Sequence, residues 1–140
     1  MRTENTEMYL GAIFRLRENM NTHLPLKRLQ EYFDFSPISI HEMISKLEEE
    51  GLVEYRRYYG VRLTGAGEAV ASNMVRRHRI WEVFLTRMLG VETTRAHEVA
   101  DQLEHAAPAE VTERLADLLG KPEACPHGSL IPPFNLSEKR

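Results

Sequence analysis

SPISIHEMISKLEEEGLVEYRR, residues 36–57, reads as a helix that stops and turns straight into a strand. Ile40, Met43, Ile44 and Leu47 recur at helical spacing and form a stripe that must face a core. Ser39, His41, Glu42, Ser45 and Lys46 are left on the opposite face. Ser36 has the side chain of an N-cap, Pro37 suits the first helical position, and Gly51 suits the residue just past the end. Beyond the glycine, 52–57 and 61–64 alternate in character as two short strands joined through Tyr58, Tyr59 and Gly60. Before it, Pro25 opens a short helix over 26–33, and 34–37 is a turn. An earlier helix is expected over 7–17, capped by Thr6. Two helices, a tight turn, a third helix with a polar front and then a β-hairpin make a winged helix-turn-helix.

That architecture assigns a DNA-facing surface. Ser36, Ser39, His41, Glu42, Ser45 and Lys46 stand on or beside the front of the third helix, where hydroxyls donate to phosphate and a carboxylate can accept from cytosine. Arg56, Arg57 and Arg62 cluster on the hairpin with Tyr58 and Tyr59, a composition suited to phosphate. Bulk charge does not advertise this role, since the 140 residues carry a net −3. Its distribution is more telling. Residues 1–80 hold 12 basic and 11 acidic side chains, whereas 81–140 hold 6 and 10. The second half is therefore the acidic one, and cations are its natural counterpart.

Three more helices are expected there, over 68–89, from 92 or 93 to 106, and over 108–119. Gly90 and Gly120 close the first and last. The stretch 122–140, rich in Pro and Gly, is expected to be irregular. On the middle helix His97, Asp101, Glu104 and His105 are spaced 0, 4, 7 and 8 and so share one face. His78 and Glu82 are one turn apart on the preceding helix. Imidazoles mixed with carboxylates suit a divalent first-row transition metal. A metal site joined to a DNA reader implies a metal-sensing transcription regulator. The alternative is a winged-helix regulator of another signal, in which the His and acid residues are structural. A metallohydrolase is disfavoured, because the chain lacks H-E-x-x-H and an enzyme is not expected. With one cysteine, Cys125, no internal disulfide can form. No run of about 18 apolar residues and no signal-peptide pattern is present, so a cytoplasmic protein without membrane contact is expected.

Seven short segments, in this order and spacing, carry a resemblance: Thr6-Glu7-Met8-Tyr9-Leu10, Met43-Ile44-Ser45-Lys46-Leu47-Glu48, Gly51-Leu52-Val53, Leu63-Thr64-Gly65-Ala66-Gly67, Arg76-Arg77-His78-Arg79, Glu104-His105 and Cys125-Pro126-His127-Gly128. The chain resembles the diphtheria toxin repressor family of iron- and manganese-dependent regulators, which includes the manganese transport regulators. The resemblance implies a mainly α protein. A winged helix over 1–66 precedes a helical metal-binding and dimerisation domain over 67–121, with 122–140 as a tail. Longer members add an SH3-like domain, and this chain looks like the short form that lacks it.

The resemblance also implies two ligand sets. The first places Met8 with Asp101, Glu104 and His105. Asp101 stands where the iron branch has Cys, and Gly11 stands where the manganese branch has Glu, so that branch's binuclear arrangement cannot form in the same way. The second set is His78, Glu82 and His97, expected to matter less because partners from the SH3-like domain are missing. Cys125 and His127 are read as features of a loop. Thioether beside carboxylate does not select one metal. Met8 favours Fe(II), while the carboxylates suit Mn(II) at least as well, and Co(II), Ni(II) or Zn(II) can substitute. By the same resemblance Asn5 and Thr6 reach the DNA backbone. The protein is then a homodimeric repressor that binds a palindromic duplex operator of metal-homeostasis genes when metal is bound.

Overall fold

The computed structural model describes residues 3–138, so residues 1–2 and 139–140 of the expected domains lie outside it. The order of elements is α1 (Glu4–Leu16), α2 (Leu26–Phe33), α3 (Pro37–Glu49), β1 (Val53–Arg56), β2 (Gly60–Leu63), α4 (Gly65–Arg87), α5 (Thr93–Ala106) and α6 (Ala109–Leu118). The expected class, a winged helix followed by a helical domain, is what forms. Two compact units divide the chain: residues up to Ala71 together with the stretch from Asn135, and Ser72–Phe134. The division falls a few residues later than the expected 66/67, inside α4. The segment 122–134 groups with the second unit.

In the first unit, the α3 stripe is buried as its spacing demands. Ile40 and Leu47 are fully buried and Ile44 nearly so, packed with Leu10 and Ile13 of α1 and Leu29 of α2. Ser36 caps α3 by accepting from the Ser39 N–H at 3.2 Å. The wing is antiparallel, pairing Val53 with Leu63 and Arg56 with Gly60. Leu24 adds a bridge the sequence did not reveal, exchanging hydrogen bonds of 2.7 and 2.8 Å with Val61. Gly60 permits it, because φ there is +116° and a Cβ would overlap the Leu24 carbonyl.

Two helix starts differ from expectation. Thr3 rather than Thr6 caps α1, accepting from the Thr6 N–H at 3.1 Å, which moves the start back to Glu4. Also, α4 begins at Gly65 and runs through both glycines. Thr64 holds that first turn by accepting from the Gly67 N–H at 3.1 Å and donating to the Gly51 carbonyl at 2.7 Å. Position 67 is glycine because a Cβ there would collide with the Leu52 carbonyl, as α4 starts hard against the end of the α3–β1 connection. Close approach, not a break, explains the glycine.

In the second unit, Ile80 and Val83 of α4 meet Ala116 and Leu119, while Leu85 meets Ala96 and Ala100 of α5. Among the described residues after Lys121 there is no helix or strand, only an isolated bridge between Ala124 and Leu130. The segment is nonetheless tied down. Ile131 joins the core, Arg79 donates to the Leu130 carbonyl at 2.6 Å, and Arg76 donates to the Pro132 carbonyl at 3.0 Å. A buried arginine and a partly buried one thus satisfy backbone carbonyls that have no ladder to enter. Among the described residues no helix is long and apolar enough to cross a membrane.

Candidate metal centre and DNA-binding face

Two small residues set up the centre. Ala96 and Ala100 are fully buried on the α5 face that meets α4, so the backbones approach closely. The same turn spacing carries His97, Asp101 and Glu104 beside them. On α4, His78 and Glu82 are one turn apart and 1% and 2% exposed. Arg77 locks the end of α5 by donating its Nε to the Glu104 carbonyl at 2.9 Å.

His78 is the hub. Its Nε2 lies 3.2 Å from Glu82 Oε1 and 3.0 Å from His97 Nδ1. Its Nδ1 lies 2.9 Å from Glu104 Oε2 and 3.3 Å from Asp101 Oδ1. Glu82 Oε2 is 3.2 Å from both His97 Nδ1 and His127 Nδ1. His105 Nε2 stands 3.3 Å from Glu104 Oε1. Separations near 3 Å are what donors around one ion require when each bond is about 2.0–2.2 Å. The groups His78, His97, Asp101 and Glu82, His97, His127 each present donor atoms within 4.8 Å of one another. The α5 residues of the first ligand set, Asp101, Glu104 and His105, are therefore contiguous with the second set through His78. Met8 lies on α1 in the first unit and is half-buried.

Chemistry of the donor set fits a divalent cation. Three carboxylates gather with four imidazoles, and two of the carboxylates, on Glu82 and Glu104, are buried. Burial alone would push Glu82 up, but hydrogen bonds and charge from His78 and His97 outweigh it and hold the carboxyl below its ordinary range. Among the described residues the side-chain partners of Glu82 are imidazoles, not Lys or Arg. An imidazole is a counter-charge only when protonated, and as a neutral base it is a metal ligand. His97, Asp101 and His127 remain about half exposed, which leaves a way in.

His127 is the residue the sequence reading missed as a donor. Its only signal was the C-x-H spacing, read as a loop feature. A turn closed by Gly128 N–H to the Cys125 carbonyl and Cys125 N–H to the Ser129 carbonyl, both 2.9 Å, carries it to Glu82.

On the first unit, Asn5 joins Ser39, Glu42 and Lys46 around one cleft of about 390 Å³, which Tyr9, Phe35 and Met43 also line. His41 and Ser45 are exposed on the same helix, with the His41 ring edge-on to Tyr55. Ser36 is exposed, but its hydroxyl is shared with Ser39 at 3.1 Å. Ile38, 72% exposed in the first turn of α3, is an apolar member of this surface that the sequence reading passed over. Thr6 is a correction. It is 2% exposed, with its hydroxyl 3.1 Å from that of Thr3, and has no surface to offer a phosphate. On the wing, Arg56 and Arg57 are exposed, while Arg62 is held by Glu54 through Nε and a terminal nitrogen, both at 3.0 Å.

Residues 1–61 match the iron dependent repressor N-terminal DNA binding domain, and residues 64–133 match its metal binding and dimerisation domain. The chain belongs to the iron-dependent repressor family. Within that family it is 32% identical over 130 residues to the diphtheria toxin repressor of Corynebacterium diphtheriae, covering 92% of this chain and 57% of that one. A manganese-dependent transcriptional repressor solved with manganese superposes with a TM-score of 0.83 at 37% identity, over 91% of this chain and 58% of the other. A hypothetical protein from Sulfolobus solfataricus matches over its whole length and 94% of this chain, with a TM-score of 0.72 at 30% identity. The chain thus spans little more than half of the two repressors and all of the Sulfolobus protein.

Proposed function

We propose that this iron-dependent repressor family member is a metal-activated transcription repressor. In this reading a homodimer binds a palindromic duplex operator of metal-homeostasis genes in the cytoplasm and performs no catalysis. The observation that carries it is the hub at His78, where imidazoles and buried carboxylates from α4, α5 and the 125–129 turn converge in a chain that also holds a winged helix. A divalent ion, Fe(II) or Mn(II), supplies positive charge and directional bonds there, and Co(II), Ni(II) or Zn(II) can substitute. His78, Glu82, His97, Asp101, Glu104, His105 and His127 hold it. Met8 is proposed as a further donor on the resemblance alone. Neutralising Glu82, Asp101 and Glu104 lowers repulsion of DNA phosphate and ties α5 and the turn to α4. Asn5, Ser39, His41, Glu42, Ser45 and Lys46 face the duplex, with Arg56 and Arg57 on the wing.

Linkage makes the scheme testable: metal that favours the DNA-competent state must itself bind more tightly in the presence of DNA, by the same factor. The protein is incubated anaerobically with Fe(II), Mn(II), Co(II) or Zn(II) and a pool of randomised duplexes, and bound DNA is recovered and sequenced. A palindromic sequence enriched only with metal is expected. Equal enrichment with and without every metal sinks the reading in favour of a different signal.

A further inference from the structure

The wing ends in an arrangement its fold does not need. Tyr58 sits at φ +71°, in a turn closed by the Tyr59 N–H donating to the Arg56 carbonyl at 3.0 Å. At that conformation Gly or Asn is the favoured residue, and a bulky side chain there is strained. Yet Tyr58 is 88% exposed, so its ring adds nothing to the core. Strain kept at an exposed tip points to binding rather than stability. What the ring does is hold a cation: the Arg57 guanidinium lies 5.1 Å from its centroid. The next residue repeats the device, with the Arg56 guanidinium 4.7 Å from the Tyr59 centroid.

A guanidinium lying on an aromatic face keeps its edge N–H donors free and gives up rotamer freedom before it meets an acceptor. Two such pairs on one hairpin tip offer two held cations to the phosphates of a nucleic-acid backbone. Arg62 is different, because its fork is already closed on Glu54 across the strands. We infer that Tyr58 and Tyr59 are positioning residues that hold Arg57 and Arg56 as a paired phosphate clamp on duplex DNA, and that Arg62 is a strut of the wing outside the clamp. The inference rests on the DNA-binding reading above and sorts the wing cations within it.

Stability and affinity separate a functional strain from a structural role. Binding is measured to a random-sequence duplex with saturating Mn(II), across a salt series. Tyr58→Gly removes the strain, so its melting temperature should equal or exceed the parent's while affinity falls about two- to fivefold. Tyr59→Leu should weaken binding by a similar factor, and Tyr59→Phe, which keeps the ring face, should restore it. Arg56→Gln and Arg57→Gln should each lower the slope of log affinity against log salt by about one, and Arg62→Gln should leave it unchanged. Parent affinity and slope in Tyr58→Gly and Tyr59→Leu overturn the clamp while leaving the repressor reading intact. So does a Tyr59→Phe variant as weak as Tyr59→Leu, since a hydroxyl contact would then be responsible. A parent protein that binds no duplex with any metal overturns both readings.

Discussion

At the scale of single residues, the surroundings of one histidine argue for a hierarchy different from the expected one. Sequence analysis ranks His78 in the lesser of two ligand sets. The geometry puts its two ring nitrogens between Glu82 and His97 on one side and Glu104 and Asp101 on the other. His78→Ala should therefore abolish metal-stimulated DNA binding as completely as His105→Ala or Glu104→Gln, with helical content nearly unchanged by circular dichroism. Retention of most of the metal response in His78→Ala would restore the original ranking. His127→Ala should lower metal affinity roughly tenfold or more, read by equilibrium dialysis with Mn(II), because it removes one of the three imidazoles around Glu82. Met8→Asp tests the donor implied by resemblance alone: a ligand at Met8 predicts a shift of activation towards Mn(II) over Fe(II), and unchanged relative activation shows that Met8 only packs.

At the scale of elements, capping and close packing decide stability. Glu92 caps α5 by accepting from the Thr94 and Arg95 N–H groups at 3.0 and 3.2 Å. Those backbone hydrogen bonds hold its carboxyl below the usual 4.5. A folded-state value depressed below the unfolded one means the cap stabilises fully above the unfolded value and is lost as pH falls through the folded one. The melting temperature of Glu92→Gln should accordingly lie below the parent's at neutral pH and converge on it in acid; a gap that stays constant with pH would show that ionisation is irrelevant to the cap. Gly67→Ala should cost about 1–3 kcal/mol in urea unfolding, since the new methyl must push α4 off the Leu52 carbonyl. Helix propensity alone predicts the opposite sign for a glycine inside a helix, so the direction of the change discriminates. Sequence reading placed α2, and α3 to within a residue, because their caps and stripes are local. It misplaced the starts of α1 and α4, where the deciding groups were Thr3 and a carbonyl distant in sequence.

At the scale of the whole molecule, the proposed reading makes metal binding and folding one equilibrium. The seven candidate donors come from two helices and a turn and meet only in the folded chain, so on the proposed reading an ion would stabilise the native state by about 2.7 kcal/mol at a hundredfold excess over its dissociation constant. Calorimetric scans with rising Mn(II) should show a melting temperature that climbs with metal, and no climb in a Glu82→Gln, Glu104→Gln double variant. The periodicity of the apolar residues, the Ser36-Pro37 and Gly51 punctuation, and the turn spacing of His78 with Glu82 and of His97 with Asp101 are properties of neighbours along the chain. They determined the winged helix, the helical second unit and six of the seven donors grouped at the centre. What only the tertiary structure decided involves partners far apart in sequence. The 125–129 turn is brought to Glu82 by Arg79 and Ile131, the α4 and α5 residues of the two sets meet because Ala96 and Ala100 let α5 settle against α4, and Arg62 is claimed by Glu54 across the wing. Each of these depends on packing and on satisfying buried polar groups, which act through space and leave no period in the sequence.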